Sequence, residues 1–403
     1  MEKSNKLTLL SRAMTALTRK TMVAACLLTL ASCIEPPLHL PGQEVLAEMP
    51  SVETQMSVVW NIDADWKTDW HYGWDEIDDE IWGSIGYTEP STFQVRRYYK
   101  GDSPLAAHTD IDAFSIKGTS FRRYFQFGYY DMLIWSDIDS KDGTQVLVIN
   151  EKPDEVTATT TGTRGMTRAI YQMAGVHEVV SDEAIVGLKN QPEIFYAAYP
   201  QNIYISRNLD DYIYDPVEKV YIKKIETELR PLVYIYLVQI ILLNNDGRVK
   251  GINGNCAMSS MASGVNVQTG HTNNSPSVVY FNTRLKRNMQ YEGKPCEIIG
   301  GKFTTFGLCD MEPYTRAGHI YEGTRGDLNN HLFFDLTFRN DAVKTYSVDV
   351  TEQCQKQAHG GVITVVLDCN NMEMPEGEDQ SGTGSLFVPT VEDYDEVYWE
   401  IEL

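Results

Sequence analysis

The chain is written mostly in short alternations of apolar and polar residues. Met56, Val58, Trp60 and Ile62 alternate with Ser57, Val59, Asn61 and Asp63, the period-two pattern of a strand with one face buried. The same reading predicts strands over 93–99, 111–117, 129–135 and 145–149, separated by turn clusters such as Lys141-Asp142-Gly143. Residues 217–229, rich in β-branched and aromatic positions, predict another, ended by Arg230-Pro231, because Pro231 cannot donate into a central ladder. Residues 232–243 are apolar nearly throughout. A dozen residues are too few to cross a bilayer as a helix, so a strand buried on both faces is expected.

Strands follow near 277–282, 296–306, 332–339, 343–350 and 362–367, and Val397, Trp399, Ile401 and Leu403 predict a last one. Between the halves, the Thr- and Gly-rich residues 157–168 read as a loop, and 167–174 and 181–188 as short helices. Many short strands with few helices predict an all-β protein built as two tandem β-sandwiches, over 53–230 and 231–403.

The first 52 residues do not fit that pattern. Arg19 and Lys20 precede an apolar run, Thr21 to Ala31, that closes on Leu30-Ala31-Ser32-Cys33. The run is too short to span a membrane and ends in small residues, so residues 1–32 read as an export signal. The tetrad resembles the lipobox, at which a lipoprotein signal peptidase cuts before a cysteine carrying diacylglycerol. This makes Cys33 the expected lipidation site and a membrane the expected partner. Two or three acyl chains hold far better than one, at about 0.8 kcal/mol per buried methylene. Residues 33–52, with Pro36, Pro37, Pro41 and Pro50, read as an extended tether.

Charge narrows the partners further. Lys3, Lys6, Arg12, Arg19 and Lys20 stand against Glu2 in the signal, so its removal takes the formal net charge from −22 to −26. Such a chain repels phosphate backbones, which argues against nucleic acid. Of seven cysteines, Cys26 lies in the signal and Cys33 at its end. Cys256, Cys296, Cys309, Cys354 and Cys369 show no zinc-type spacing. Buried free thiols and a single disulfide are both open for these five.

Five of the seven tryptophans, Trp60, Trp66, Trp70, Trp74 and Trp82, crowd one segment among eight carboxylates from Asp63 to Glu80. Aromatic faces beside carboxylates suit a sugar ring and its hydroxyls. Trp66, Trp70 and Trp74 are also four apart, which would place them on one face of a helical turn packed against the fold. These three are the candidate contacts for a ligand or partner. The acidic run Asp75 to Glu80 reads as a solvated surface, and Asp137, Asp139 and Asp142 as an ordinary hairpin turn lacking the bidentate glutamate of a calcium loop. Nucleophile motifs are missing, and the eight histidines are scattered, so no catalytic residue, metal or cofactor is assigned.

Taken together, Cys33 with Pro36-Pro37-Leu38-His39-Leu40, Trp60-Asn61-Ile62-Asp63, Trp70-His71-Tyr72-Gly73-Trp74-Asp75, Tyr130-Asp131-Met132-Leu133-Ile134-Trp135 and Gly301-Lys302-Phe303-Thr304-Thr305-Phe306-Gly307 resemble a lipoprotein family of gut Bacteroidetes-type bacteria. That family is related to fimbrillin-like and fimbrillin-associated anchor proteins. The resemblance implies two transthyretin-like sandwiches on a lipid-anchored protein of the outer membrane, with fimbrial subunits or host or polysaccharide glycans as partners. It implies no substrate. Stalk subunits of this kind lose their lipidated leader to an Arg- or Lys-specific protease. Here no Arg or Lys occurs between Cys33 and Trp66, and Lys67 is the first. An anchor or adhesin that keeps its lipid is therefore expected, rather than a polymerising stalk.

Overall fold

The computed structural model describes residues 51–58, 69–137, 146–149, 155–162, 180–181, 184–185, 188–252, 256–313 and 328–375. Strands dominate these residues, and the fold is all-β. Among them, no helix is long and apolar enough to cross a membrane. The chain divides into two compact units: the smaller holds Met1–Glu53, Arg122–Phe127 and Ile205–Lys224, the larger Thr54–Phe121, Gly128–Tyr204 and Ile225–Leu403.

In the smaller unit, strand Ile213–Asp215 pairs antiparallel with Val220, Tyr221 and Ile222. Asp215 shapes the turn between them by accepting from the Val217 and Glu218 N–H groups. Arg122 gathers Glu218 at 2.6 Å, Glu53 at 3.7 Å and Asp215 at 3.8 Å. Phe125, Ile205, Tyr212 and Ile222 are buried.

The larger unit opens with an antiparallel sheet. Thr92–Gly101 pairs on one side with Asp110–Lys117 and on the other with Gly128–Ser136. Tyr196–Ala198 then lies between Gly128–Ser136 and the end of Val220–Pro231, where Tyr196 faces Pro231. Pro231 thus stands as the last residue of its strand, where a missing N–H costs least. Within the strand Gly128–Ser136, Asp131 is almost fully buried yet satisfied. It accepts from Asn202 N at 2.8 Å and Lys100 Nζ at 3.2 Å, and lies 2.9 Å from His108 Nε2.

Two further sheets share one core. Thr283–Tyr291, Lys294–Thr305, Tyr234–Leu243 and Gly361–Asp368 form a four-stranded sheet in that order. The predicted strand over 232–243 is its centre, antiparallel to Lys294–Thr305 over ten residue pairs and parallel to Gly361–Asp368. Its near-continuous burial explains its unbroken apolar sequence. The facing sheet runs Leu188–Lys189, Pro276–Phe281, Cys256–Ala262, His331–Phe338, Val249–Ile252, with Val343–Asp349 also on His331–Phe338. Tyr236, Val238 and Phe303 of the first meet Met258, Phe281 and Phe334 of the second. Phe303 stacks between Tyr236 at 5.2 Å and Phe281 at 4.8 Å. Each such burial contributes about 1.5–3 kcal/mol before the cost of ordering the chain.

The edge strand Gly361–Asp368 is closed by glutamines. Helix Thr351–Lys356 and the residue after it place Gln353 and Gln357 beside the strand. Gln353 exchanges two hydrogen bonds with the Thr364 backbone and Gln357 two with Val362. Side chains here take the place of a neighbouring strand, which protects an edge that could otherwise pair with another chain.

Two readings of the sequence are corrected. Residues 181–188, expected as a helix, begin and end in strand residues, and Leu188 pairs parallel with Val278. Thr157–Thr159, expected as loop, is a strand between Leu147–Ile149 and Gly264–Asn266. Partners distant in sequence decided both, overriding local propensity. The expected helix over 167–174 and the final strand lie outside the described residues, as do the signal and most of the tether.

Candidate functional site

The tryptophan-rich segment is seated on the outer face of the four-stranded sheet, opposite the shared core. It carries the helix Glu76–Trp82. Asp75 caps it, accepting from the Ile77 and Asp78 N–H groups, while Asp78 returns a bond to the Asp75 N–H, a capping box. Gly83 ends it, donating to Asp79 O at 2.9 Å. Trp70 and Trp74 precede this helix, so they do not share a helical face as their spacing suggested. Trp66 lies outside the described residues.

What the segment buries is an aromatic and aliphatic patch. Tyr72 and Trp82 pack with Ile241, Cys296 and Ile298, and Trp70, Trp74, Leu243, Met289 and Tyr291 close over them. The Tyr72 ring lies flat against Gly300, where any Cβ would overlap its ring carbons. A glycine is therefore required in the middle of that strand. Trp82 donates its Nε1 to Asn282 O at 3.0 Å, and its ring lies 5.4 Å from Trp74. Trp74 Nε1 donates to Asp79 Oδ1 at 2.7 Å and Trp70 Nε1 to Gly73 O at 2.8 Å. All three indole N–H groups are therefore satisfied within the segment or its seat.

Polar contacts fix the register. Gln239, fully buried on the outer face of its strand, accepts from His71 N at 2.9 Å and donates to Asp69 O at 2.7 Å and Thr364 Oγ1 at 2.9 Å. At the far end, the Ile235 N–H donates to Tyr87 Oη. Lys302, buried, donates to the carbonyls of Trp82 and Ser84 at the end of the helix, where carbonyl dipoles favour a cation.

The acidic run holds the tightest contacts. Asp78 is completely buried, with Lys286 Nζ at 2.6 Å, Arg284 Nη1 at 2.8 Å and the Tyr72 hydroxyl donating at 3.1 Å. Asp75 shares the same two cations at 3.0 and 2.8 Å. The Lys286 ammonium also sits 4.0 Å from the centre of the Tyr72 ring. Burial, reinforced by the Asp78 charge, drives the Tyr72 phenol far above its usual range. The Lys286 hydrogen bond, with Arg284 adding to it, holds Asp75 well below the carboxylate range. Glu76, Asp79 and Glu80 remain exposed, so the run is a solvated surface only on one side. Tyr72, Asp78, Gln239, Arg284 and Lys286 had no signal of their own in the sequence beyond the acid three residues after Asp75.

The other sequence candidates stay apart from this seat. Asp137 accepts from Gln94 Nε2 at 2.7 Å, while Asp139 and Asp142 lie outside the described residues, as does Cys33. Cys256, Cys296, Cys309, Cys354 and Cys369 are all buried and unbridged. Burial raises the Cys256 thiol above the usual range and lifts Cys369 to about 11, so these are poor nucleophiles. Among the described residues, no group of three His, Cys, Asp or Glu could hold a metal ion.

No protein-family model matches the chain, and no curated protein does. Among solved structures, it is similar to a candidate adhesin from Bacteroides ovatus, at 12% identity and a TM-score of 0.44, over 81% of this chain and 94% of that one. It is similar to the fimbrial anchor protein Mfa2 from Porphyromonas gingivalis at 11% identity and a TM-score of 0.37, over 78% and 90%. It is also similar to a candidate polysaccharide-binding protein from Bacteroides thetaiotaomicron at 7% identity and a TM-score of 0.38, over 79% and 91%.

Proposed function

We propose that this chain is a non-enzymatic surface lipoprotein, held in the outer membrane by lipid on Cys33, and that it serves as a fimbrial anchor or accessory subunit or as an adhesin. In this reading its all-β body comprises two transthyretin-like sandwiches, 53–230 and 231–403, behind the tether. The observation that carries the reading is Leu30-Ala31-Ser32-Cys33 closing a short apolar run, followed by a stretch to Trp66 without Arg or Lys. Nothing in that stretch offers a basic-residue protease a way to separate lipid from fold. Cys33→Ser tests it: the variant should move from the membrane to the soluble fraction and lose acyl labelling. A variant that still sediments with membranes and still labels overturns the anchor.

A second reading has one observation in its favour. Trp70 and Trp74 keep part of their surface exposed, and Trp74 lies beside the exposed carboxylate of Asp79, which would suit a glycan-binding lipoprotein. Loss of polysaccharide binding in Trp74→Ala, with unfolding unchanged, would favour it.

A further inference from the structure

A cleft of about 460 Å³ is lined by Ala197, Ala198, Tyr199, Gln201, Glu228 and Arg230, with Gln268 and Thr269 closing it. That volume is within the range of small-ligand sites. Arg230 is its only cation. Its Nη2 donates to Gln268 O at 2.7 Å, and Gly270, at φ +75°, lets the guanidinium lie against the backbone, since a Cβ there would come within 3.1 Å of both Nε and Nη2.

Two donors beside this cleft have no hydrogen-bond partner in the protein. Among the described residues Arg230 has no carboxylate within ion-pair distance, and its Nε is buried without a hydrogen-bond partner. The Gln268 side-chain nitrogen is likewise buried and unpartnered, on a residue only 5% exposed. Buried polar groups are normally paired, and two orphaned donors beside one cleft mark a place where an acceptor is missing. An arginine fork matches a carboxylate in two parallel hydrogen bonds.

We propose that this cleft binds a uronic acid residue of an acidic polysaccharide, its carboxylate on Arg230 and its hydroxyls on Gln201, Thr269 and Glu228. A peptide carboxylate is the weaker candidate. The strand that forms the floor, Tyr196–Ala198, is already paired on both sides at Ala197, so it offers no open edge for strand addition. Tyr199 supplies a ring at the wall, and the hydroxyl and amide groups around it suit a sugar's hydroxyls. The strongly negative chain repels anions at long range, so binding should be of contact range and modest affinity. This site is independent of the anchoring proposal, which stands or falls at Cys33.

The test is calorimetric titration of the full chain with methyl glucuronoside, methyl glucoside and an acetylated peptide ending in Glu. The glucuronoside alone should bind. Arg230→Gln should weaken it by about tenfold to a hundredfold, the loss expected for a charge-assisted hydrogen bond. Because Arg230 is partly buried, Gln201→Trp on the exposed rim gives a second variant, which should block binding while its melting temperature stays unchanged. No glucuronoside binding to the unaltered chain, equal binding of the neutral sugar, or unchanged affinity in the two folded variants overturns the proposal. Preference for the peptide overturns the sugar assignment.

Discussion

The strand Tyr234–Leu243 is buried on both faces, but by different means. On its inner face Tyr234, Tyr236, Val238, Ile240 and Leu242 enter a core shared by two sheets. On its outer face Ile235, Gln239 and Ile241 are covered by a segment from more than a hundred residues earlier in the chain, through Tyr87, His71 and Tyr72. The inner face is held by apolar and aromatic contact, with one polar tie, the Tyr236 hydroxyl on the Gln357 and Ala358 carbonyls. The outer one adds an aromatic patch, a buried glutamine and a carboxylate locked by two cations. Apolar packing gives stability without direction, whereas polar partners set one register, so the outer cover is tied to a single position on the sheet.

If this contrast is real, truncations on the two faces should fail in different ways. Phe303→Ala, in the shared core, should cost about 3–5 kcal/mol of global stability, seen as a lower urea midpoint for every probe. Trp82→Ala should cost a comparable amount within its seat. There, hydrogen exchange and protease cleavage should rise over residues 69–87 before the core opens, because such satellite packing unfolds as its own unit. Simultaneous loss of protection on both faces in Trp82→Ala would remove the distinction.

The polar lock gives the next effect. Asp78→Ala leaves Arg284 and Lys286 with only the more exposed Asp75 beside a buried gap, and losing a buried partner in this way typically costs about 3 kcal/mol. A double-mutant cycle with Lys286→Met should show strong coupling, and additive losses would mean that the ion cluster contributes no more than its packing. Gly300→Ala is smaller, about 1–3 kcal/mol, since the added methyl must displace the Tyr72 ring. Its effect should fall on the seat alone.

Acid should loosen a different region. Burial raises the Asp131 carboxyl, but the Asn202 N–H, His108 and Lys100 outweigh it, and its net pKa is lowered. A carboxylate lowered on folding contributes stability that is present above its unfolded pKa and is lost as pH falls through the folded value. Stability should therefore decline below the ordinary carboxylate range, and Asp131→Asn should flatten that decline. An unchanged pH profile in the variant would show that Asp131 is not the group responsible.

The inner face was legible because its determinants are local. Unbroken apolar residues from Leu232 to Leu243 required burial on both faces, and the alternations at 93–99, 332–339 and 362–367 gave strands that the structure contains. The outer cover was not. The run from Asp75 to Glu80 looked solvated because the cations that bury Asp78 lie at positions 284 and 286. Their own strand, Thr283–Tyr291, was hidden in turn by its Arg and Lys content. Cys256–Ala262 was missed because small residues carry little strand signal, although its partners on both sides bury it. The helix Glu76–Trp82 had one visible mark, an acid three residues after an N-cap aspartate, the capping-box spacing.

That cover begins just after Lys67, the first basic residue beyond Cys33, so a cut at Lys67 would separate the proposed lipid site, together with the strand Ser51–Val58, from the seated segment. The decisive measurement is the mass of the N-terminal peptide of the protein taken from intact cells. An acylated Cys33 contiguous through Lys67 is the expected result and marks a protein that stays anchored. A free amino terminus at Thr68, with the seated segment intact behind it, would contradict the anchor and describe a subunit released from its lipid for assembly.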